Sequence, residues 1–87
     1  MPFRIETAAR GRFTVFLLSG RIEAPAIFDL RRLCKDQTNL LDIVFDLKDV
    51  SVIDREVMRF FVRCEGDGVK FENCTPYIRE WMEREKD

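Results

Sequence analysis

The residues with the clearest chemical potential lie in one short stretch, from Asp46 to Glu56. Three aspartates, Asp46, Asp49 and Asp54, fall within it, and carboxylate oxygens are the ligands that Ca²⁺ and Mg²⁺ prefer in proteins. Their spacing fits no dedicated metal-binding loop, so a cation site is one alternative here and a loop flanked by acidic residues is the other. The stretch ends in Asp54-Arg55-Glu56, which predicts the start of a helix.

Asp54 is a good N-cap, because its side chain can accept a hydrogen bond from an amide in the first helical turn. Glu56 then falls in that turn, where the helix dipole favours a negative charge. The free amides of a helix start would also favour a phosphate, but no serine or threonine stands at this junction to receive one. The junction is therefore charged without being phosphorylatable.

The side chains needed for most catalytic chemistry are missing from the 87 residues. The absence of histidine removes the commonest general base and every Ser-His or Cys-His pair. Cys34, Cys64 and Cys74 are well separated, which predicts small buried thiols in a reducing compartment and argues against a zinc site. No Gly-rich phosphate loop is present. We therefore expect no enzymatic activity, no catalytic residue, no cofactor and no bound metal.

The length and net charge of the chain limit the kinds of partner that it can bind. The chain is long enough for one domain, spanning residues 1–87, and too short for two. Its 15 basic and 16 acidic residues give a net charge of −1, without the positive field that nucleic-acid binding relies on. No stretch resembles a signal peptide or approaches the about 20 apolar residues of a membrane span. The sequence predicts a cytoplasmic protein that neither inserts into membranes nor binds nucleic acid.

Apolar periodicity predicts four strands and three helices in the order β-β-α-β-α-β-α. Strands separated by helices should be parallel, with right-handed crossovers, whereas the first two should form an antiparallel hairpin. The expected strands are 3–6, 13–20, 42–47 and 69–72, residues 48–53 are expected to be a loop, and the helices begin near Pro25, Asp54 and Thr75.

If strands two, three and four are neighbours in that order, every crossover helix falls on the same face of the sheet, which leaves the other face open. Alternation along the second strand places either Val15 and Leu17 or Phe16 and Leu18 on that open face. An apolar patch there would have to be covered, since monomers rarely expose large ones. Two explanations stay open: the final helix folds over the patch, or the patch is a homodimer or partner surface.

The chain resembles a STAS domain, the fold of bacterial anti-sigma-factor antagonists and of the cytoplasmic tails of sulphate transporters. The resemblance covers about residues 10–72 and includes Gly20, Asp46 and Asp54. It is carried by the segments FLLSGRI, IVFDLKDV, VIDREVMRFF and EGDGVKF. It implies an α/β fold, a STAS-like (β/α) superhelix with a four-stranded, mostly parallel sheet and an antiparallel N-terminal edge strand. It also implies a non-enzymatic role in protein binding.

The sequence departs from the family at its regulatory position. In phosphoregulated members, small hydroxylated residues follow the junction aspartate, and the second of them is phosphorylated by a kinase that is also the partner. Arg55 and Glu56 stand at those two positions, so Glu56 is the phosphoacceptor-equivalent residue. Either Glu56 mimics the phosphorylated state or it is only a helix-start residue. Arg55, Arg59 and Arg63 form a basic stripe expected on a solvated helix face, and Glu56 can pair locally with Arg59.

The resemblance and the missing catalytic residues together predict a constitutive interaction module. The expected partner is a protein, such as an anti-sigma-factor kinase-like protein. The alternative is a structural dimerising subunit of a larger assembly, such as a transport-associated STAS protein. Tyr77 and Trp81 are expected to be packing residues. The expected partner-binding residues are Lys48, Asp49, Ser51, Asp54, Arg55, Glu56 and Arg59.

Overall fold

The computed structural model describes residues 3–37 and 39–86. In that part of the chain the strands are Phe3–Arg10 (β1), Phe13–Ile22 (β2), Ile43–Ile53 (β3) and Lys70–Glu72 (β4), and the α-helices are Ala26–Lys35 (α1), Arg55–Gly66 (α2) and Pro76–Glu85 (α3). A 3₁₀ turn, Leu40–Asp42, precedes β3. The sheet order is β1-β2-β3-β4, with β1 antiparallel to β2 and the other pairs parallel. The predicted α/β class, element order and strand order are confirmed.

The core lies between the helices and one face of the sheet. Alternation sends Phe16 and Leu18 of β2 to that face, together with Phe45 and Leu47 of β3, and all four are buried. The ring of Phe45 is central, because its centroid lies 5.9 Å from that of Phe16, 5.8 Å from Phe61 and 5.3 Å from Phe71. The helices complete this core with buried side chains: Ala26, Leu30, Val57, Met58, Phe61, Ile78 and Met82.

The predicted limits of three strands were wrong in the same direction, since each strand is longer than expected. β1 continues to Arg10, and β2 continues through Gly20 to Ile22. β3 continues to Ile53, so residues 48–53 are strand and not loop. The physical reason is pairing with β2: Leu17 pairs with Asp46 but Ser19 with Asp49, which places an extra residue in β3. Such bulges bend and twist a strand without ending it.

Gly20 does not end β2 as expected, because it lies at a second irregularity of the same ladder. Gly20 pairs with Val50 and the next residue, Arg21, pairs with Val52. Gly20 has φ 84°, in the left-handed region that residues with a side chain rarely adopt. Glycine therefore allows the ladder to absorb the extra residue and continue.

The open face of the sheet carries Val15 and Leu17, yet the described residues expose no large apolar patch there. Val15 is buried and Leu17 is 38% exposed. The guanidinium of Arg10 on β1 donates two hydrogen bonds of 2.9 Å to the carboxylate of Glu72 on β4. β2 and β3 lie between the strands that carry Arg10 and Glu72, and the register places Val15 of β2 beside Val44 of β3. The ion pair therefore crosses the sheet above those two valines. The aliphatic parts of the two long side chains thus cover the apolar centre of the face.

The final helix, α3, does not fold over the open face of the sheet. The explanation that α3 covers this face was therefore wrong. α3 packs against α2, with Ile78 and Met82 buried in the core on the helical side. The guanidinium of Arg79 donates to both carboxylate oxygens of Glu65 on α2, at 2.8 and 2.9 Å. The ammonium of Lys86 lies 3.3 Å from the same carboxylate. α3 is therefore held to α2 by apolar packing and by a shared carboxylate.

This shared carboxylate should make the docking of α3 sensitive to acid. Partial burial alone would raise the pKa of Glu65, but the hydrogen bonds and charges of Arg79 and then Lys86 outweigh it and hold that pKa below its ordinary value of 4.5. Because the pKa is lower in the folded state, the stabilisation is complete above the ordinary value and is lost as pH falls through the folded pKa.

A Glu65→Gln variant should therefore unfold about 1 kcal/mol more easily than the wild type at pH 7, since the ion pairs are partly exposed. The difference should shrink as pH falls from 4.5 through the lower folded-state pKa of Glu65, because the wild-type carboxylate then also becomes neutral. Urea denaturation of both proteins across this pH range measures the effect. A difference that stays constant from neutral to acid pH would contradict a charge-based contact.

Candidate functional site

Asp54 fixes the start of α2, as its predicted N-cap role requires. Oδ1 accepts a hydrogen bond of 2.9 Å from the amide of Val57, and Oδ2 accepts one of 2.8 Å from the amide of Ala24. The backbone amide of Asp54 also donates to the carbonyl of Ile22, at 3.3 Å. Asp54 thus ties the helix start to the connection between β2 and α1. Both carboxylate oxygens are already bound by amides, so its role at the expected binding surface is to position its neighbours.

Arg55 and Arg59 lie one helical turn apart and converge on Glu85 near the end of α3. Their Nε atoms lie 3.4 and 3.5 Å from its two carboxylate oxygens. The indole of Trp81 donates to the same carboxylate at 3.2 Å. Desolvation would raise the pKa of Glu85, but the Trp81 hydrogen bond and the charges of the two arginines keep it below its ordinary value. The basic stripe is thus only partly solvated, and Arg59 pairs with Glu85 rather than with Glu56.

Glu56 projects from the first turn of α2 and is exposed. Among the described residues it forms no ion pair within 4.0 Å, although Arg55 and Arg59 are close to it in sequence. The guanidiniums of Arg55 and Arg59 form ion pairs with the carboxylate of Glu85 instead. A fixed negative charge at a helix start, with no partner inside the described chain, remains available for an external cation.

Lys48, Asp49 and Ser51 are all exposed, but they lie on β3 and not on a loop. A strand paired along one side holds its side chains more firmly than a free loop would. The strand runs directly into the capped start of α2, which places these three residues on the approach to Arg55 and Glu56. Within residues 3–37 and 39–86, no hydrogen bond or ion pair joins their side chains to those of the helix. The predicted surface is therefore contiguous along the chain, but side-chain contacts do not join its strand residues to its helix residues in the described part of the structure.

The three aspartates of the alternative cation site do not converge. One oxygen of Asp46 accepts from the amide of Lys48 at 2.9 Å and from the side chain of Asn73 at 3.0 Å. Both oxygens of Asp54 are used by amides. In the described part of the chain, no group of three or more Asp, Glu, Cys or His side chains could hold a metal ion. The geometry gives the cation alternative no support.

The three cysteines are free thiols in the structure; Cys64 is buried as predicted, whereas Cys34 and Cys74 are only partly buried. Burial raises the pKa of Cys34 and of Cys74, and it raises the pKa of Cys64 to about 12. A nucleophilic cysteine needs a lowered pKa, since the thiolate is the reactive form. These thiols therefore behave as small apolar residues rather than as reactive groups.

Sequence reasoning missed two features of α3. Glu85 joins the site although it lies far from α2 in the sequence, and only its spacing of four residues from Trp81 hinted at a contact. Tyr77 was expected to pack, but it is 65% exposed, whereas Trp81 packs against the edge of the core. Their rings are 5.9 Å apart and face a groove beside the end of β3.

Comparisons with other proteins add no assignment to this geometry. None of the helices in the described residues is long and apolar enough to cross a membrane. No protein-family model matches the chain, and no curated protein matches it significantly.

Proposed function

We propose that the protein is a non-enzymatic interaction module of the cytoplasm that binds a protein partner through the end of β3 and the start of α2. The observation that carries the proposal is the double anchoring of Asp54, which fixes a helix start surrounded by exposed charged side chains. A site whose backbone is fixed before binding loses less entropy when a partner docks. The STAS resemblance supplies the comparison, with anti-sigma-factor antagonists as the nearest kind of function.

The proposed binding is constitutive. A phosphorylation switch needs a hydroxyl, and Glu56 offers none. Its carboxylate carries a charge of about −1, compared with roughly −1.5 to −2 for a phosphoserine, and no kinase or phosphatase can change it. An anti-sigma-factor kinase-like protein would therefore meet the same surface at all times. This part of the proposal depends on the STAS resemblance.

Reversing the charge of Glu56 tests the surface. Glu56→Arg should reduce recovery of the partner from a lysate of the source cells by at least about tenfold, because like charges facing each other across an interface cost several kcal/mol. Affinity capture with quantitative mass spectrometry measures the recovery. Glu80→Arg is the matched control, since Glu80 is also exposed but lies on α3. Equal recovery with wild type and both variants would remove Glu56 from the binding surface.

The alternative, a dimerising subunit, gains no specific support from the open face of the sheet. Besides the Arg10–Glu72 pair, the ring of Phe13 lies beneath two cations, Arg12 at 5.3 Å and Lys70 at 5.4 Å. A face covered by charged side chains is a poor core for a permanent dimer, whose interface is usually apolar. Light scattering at micromolar concentration tests the dimer directly.

A further inference from the structure

Half of β3 has a strand on only one side. β4 pairs with β3 from Val44 to Asp46 and no further, whereas β2 accompanies β3 to Ile53. Residues 47–53 therefore lie at an edge that no other strand of the described chain covers. The amide of Lys48 is bound by the side chain of Asp46, and the remaining outward-facing backbone groups are left for another strand. In the described residues, no backbone hydrogen bond joins this edge to the segment that follows β4. Such an edge is a template for an additional strand.

The edge is open because the chain is turned away from it at a fixed point. Asn73 has φ 57°, in the left-handed region, and it directly follows β4. Its side chain donates a hydrogen bond of 3.0 Å to Asp46, the last residue of β3 that β4 pairs with. β4 therefore ends at a defined turn, which the hydrogen bond from Asn73 to Asp46 holds in place. The opening is a constant part of the fold.

A groove with aromatic walls accompanies the open edge. Residues 50–53 of β3 form one side, and Tyr77, Ile78 and Trp81 of α3 form the other, around a space of about 180 Å³. Tyr77 and Val52 are exposed at the rim of this groove. Exposed tyrosine and tryptophan side chains are typical anchors of protein interfaces, since they bury a large area with few rotatable bonds.

The shape of the edge favours another protein over a second copy of this chain. Both irregularities of the β2–β3 ladder fall within or beside residues 47–53, and Lys48 and Asp49 add charges. Bulges and charges are the devices that prevent two identical edges from pairing. A separate extended segment can follow the bend, and it can place one row of side chains against Tyr77 and Trp81.

We propose that residues 47–53 are a strand-addition site for an extended segment of a partner protein with apolar side chains at alternate positions. Backbone hydrogen bonds to β3 supply the register, and the groove beside α3 takes every second side chain. This inference deepens the proposed function, because it states how the partner is held. The inference rests on the proposed function because it assumes that a protein partner exists, but it does not require that partner to contact Glu56.

Random-sequence peptides displayed on phage and selected against the full chain test the proposal. Selected peptides should alternate branched or aromatic residues with others, and binding should slow amide hydrogen exchange at residues 47–53. Methylating peptide nitrogens one at a time should abolish binding at alternate positions only, as one edge of a strand requires. Tyr77→Ala should weaken peptide binding at least about tenfold, whereas Phe28→Ala, which truncates an 80% exposed ring on α1, should not.

The proposal is overturned if no peptide is enriched over a Val52→Lys, Tyr77→Ala double variant, or if methylation has no alternating effect. Exchange protection of residues 47–53 that grows with protein concentration alone would identify a second copy as the occupant, against the proposal. Capture of the native partner distinguishes failure of the strand-addition proposal from failure of the proposed function. If Tyr77→Ala recovers the partner normally while Glu56→Arg loses it, strand addition is wrong and the proposed function stands. If neither variant changes recovery, both are wrong.

Discussion

Replacing Phe45 with alanine is expected to lower the free energy of unfolding by about 4 kcal/mol. The side chain is fully buried, and its ring contacts the rings of Phe16, Phe61 and Phe71. Its loss removes apolar burial and leaves a cavity between the sheet and α2. Small domains have about 0.05 to 0.15 kcal/mol of stability per residue, so this one change would remove a large share of the total.

Urea denaturation followed by circular dichroism measures the loss. Phe28→Ala is the matched control, because it removes the same atoms from a ring that is 80% exposed and should change stability by less than about 0.5 kcal/mol. Phe45→Leu should fall between the two, since leucine refills part of the cavity. If Phe45→Ala and Phe28→Ala had similar effects, the aromatic cluster would not be the centre of the core.

Replacing Asp54 with alanine is expected to cost about 2 to 3 kcal/mol, the second largest effect. The loss of an N-cap costs about 1 kcal/mol, and the amide of Ala24 also loses its acceptor in a partly buried position. Asp54→Asn should cost less, because it keeps an oxygen for one of the two amides. Trp81 is the only tryptophan and is half-buried, so its fluorescence can follow unfolding.

Asp49→Ala is the control for this prediction, since Asp49 is an exposed carboxylate on the neighbouring strand. It should leave the unfolding midpoint unchanged, whereas Asp54→Ala should lower the melting temperature by roughly 10 to 20 °C, at about 4 to 8 °C per kcal/mol for a domain of this size. Equal melting temperatures for the two variants would mean that neither the N-cap of α2 nor the bond to Ala24 contributes much.

Local features of the fold could be predicted from sequence because the interacting atoms are close along the chain. The N-cap of α2 is confirmed by the bond from Val57 to Asp54. The N-cap of α3 is confirmed by the bond of 3.3 Å from the amide of Ile78 to the hydroxyl of Thr75. The apolar residues on both faces of the second strand similarly predict a place inside the sheet, and the strand order confirms it.

The features that could not be predicted depend on contacts between distant segments. The length of β3 is set by its ladder with β2, whose bulges leave no signature within residues 48–53. The cover of the open face depends on Arg10 and Glu72, which are separated by most of the chain. At the candidate site, the exposure of Glu56 could be predicted from helix periodicity, but the capture of Arg55 and Arg59 by Glu85 could not.

The Arg10–Glu72 pair also has a consequence for the order in which the chain folds. It can form only after the first hairpin and the two parallel pairings are in place, because it joins the first strand to the last. Because this side-chain pair needs the rest of the sheet in place, we expect it to form after the folding transition state. An interaction absent from the transition state slows unfolding without speeding folding. The charged cover of the sheet should therefore act mainly on the lifetime of the folded protein.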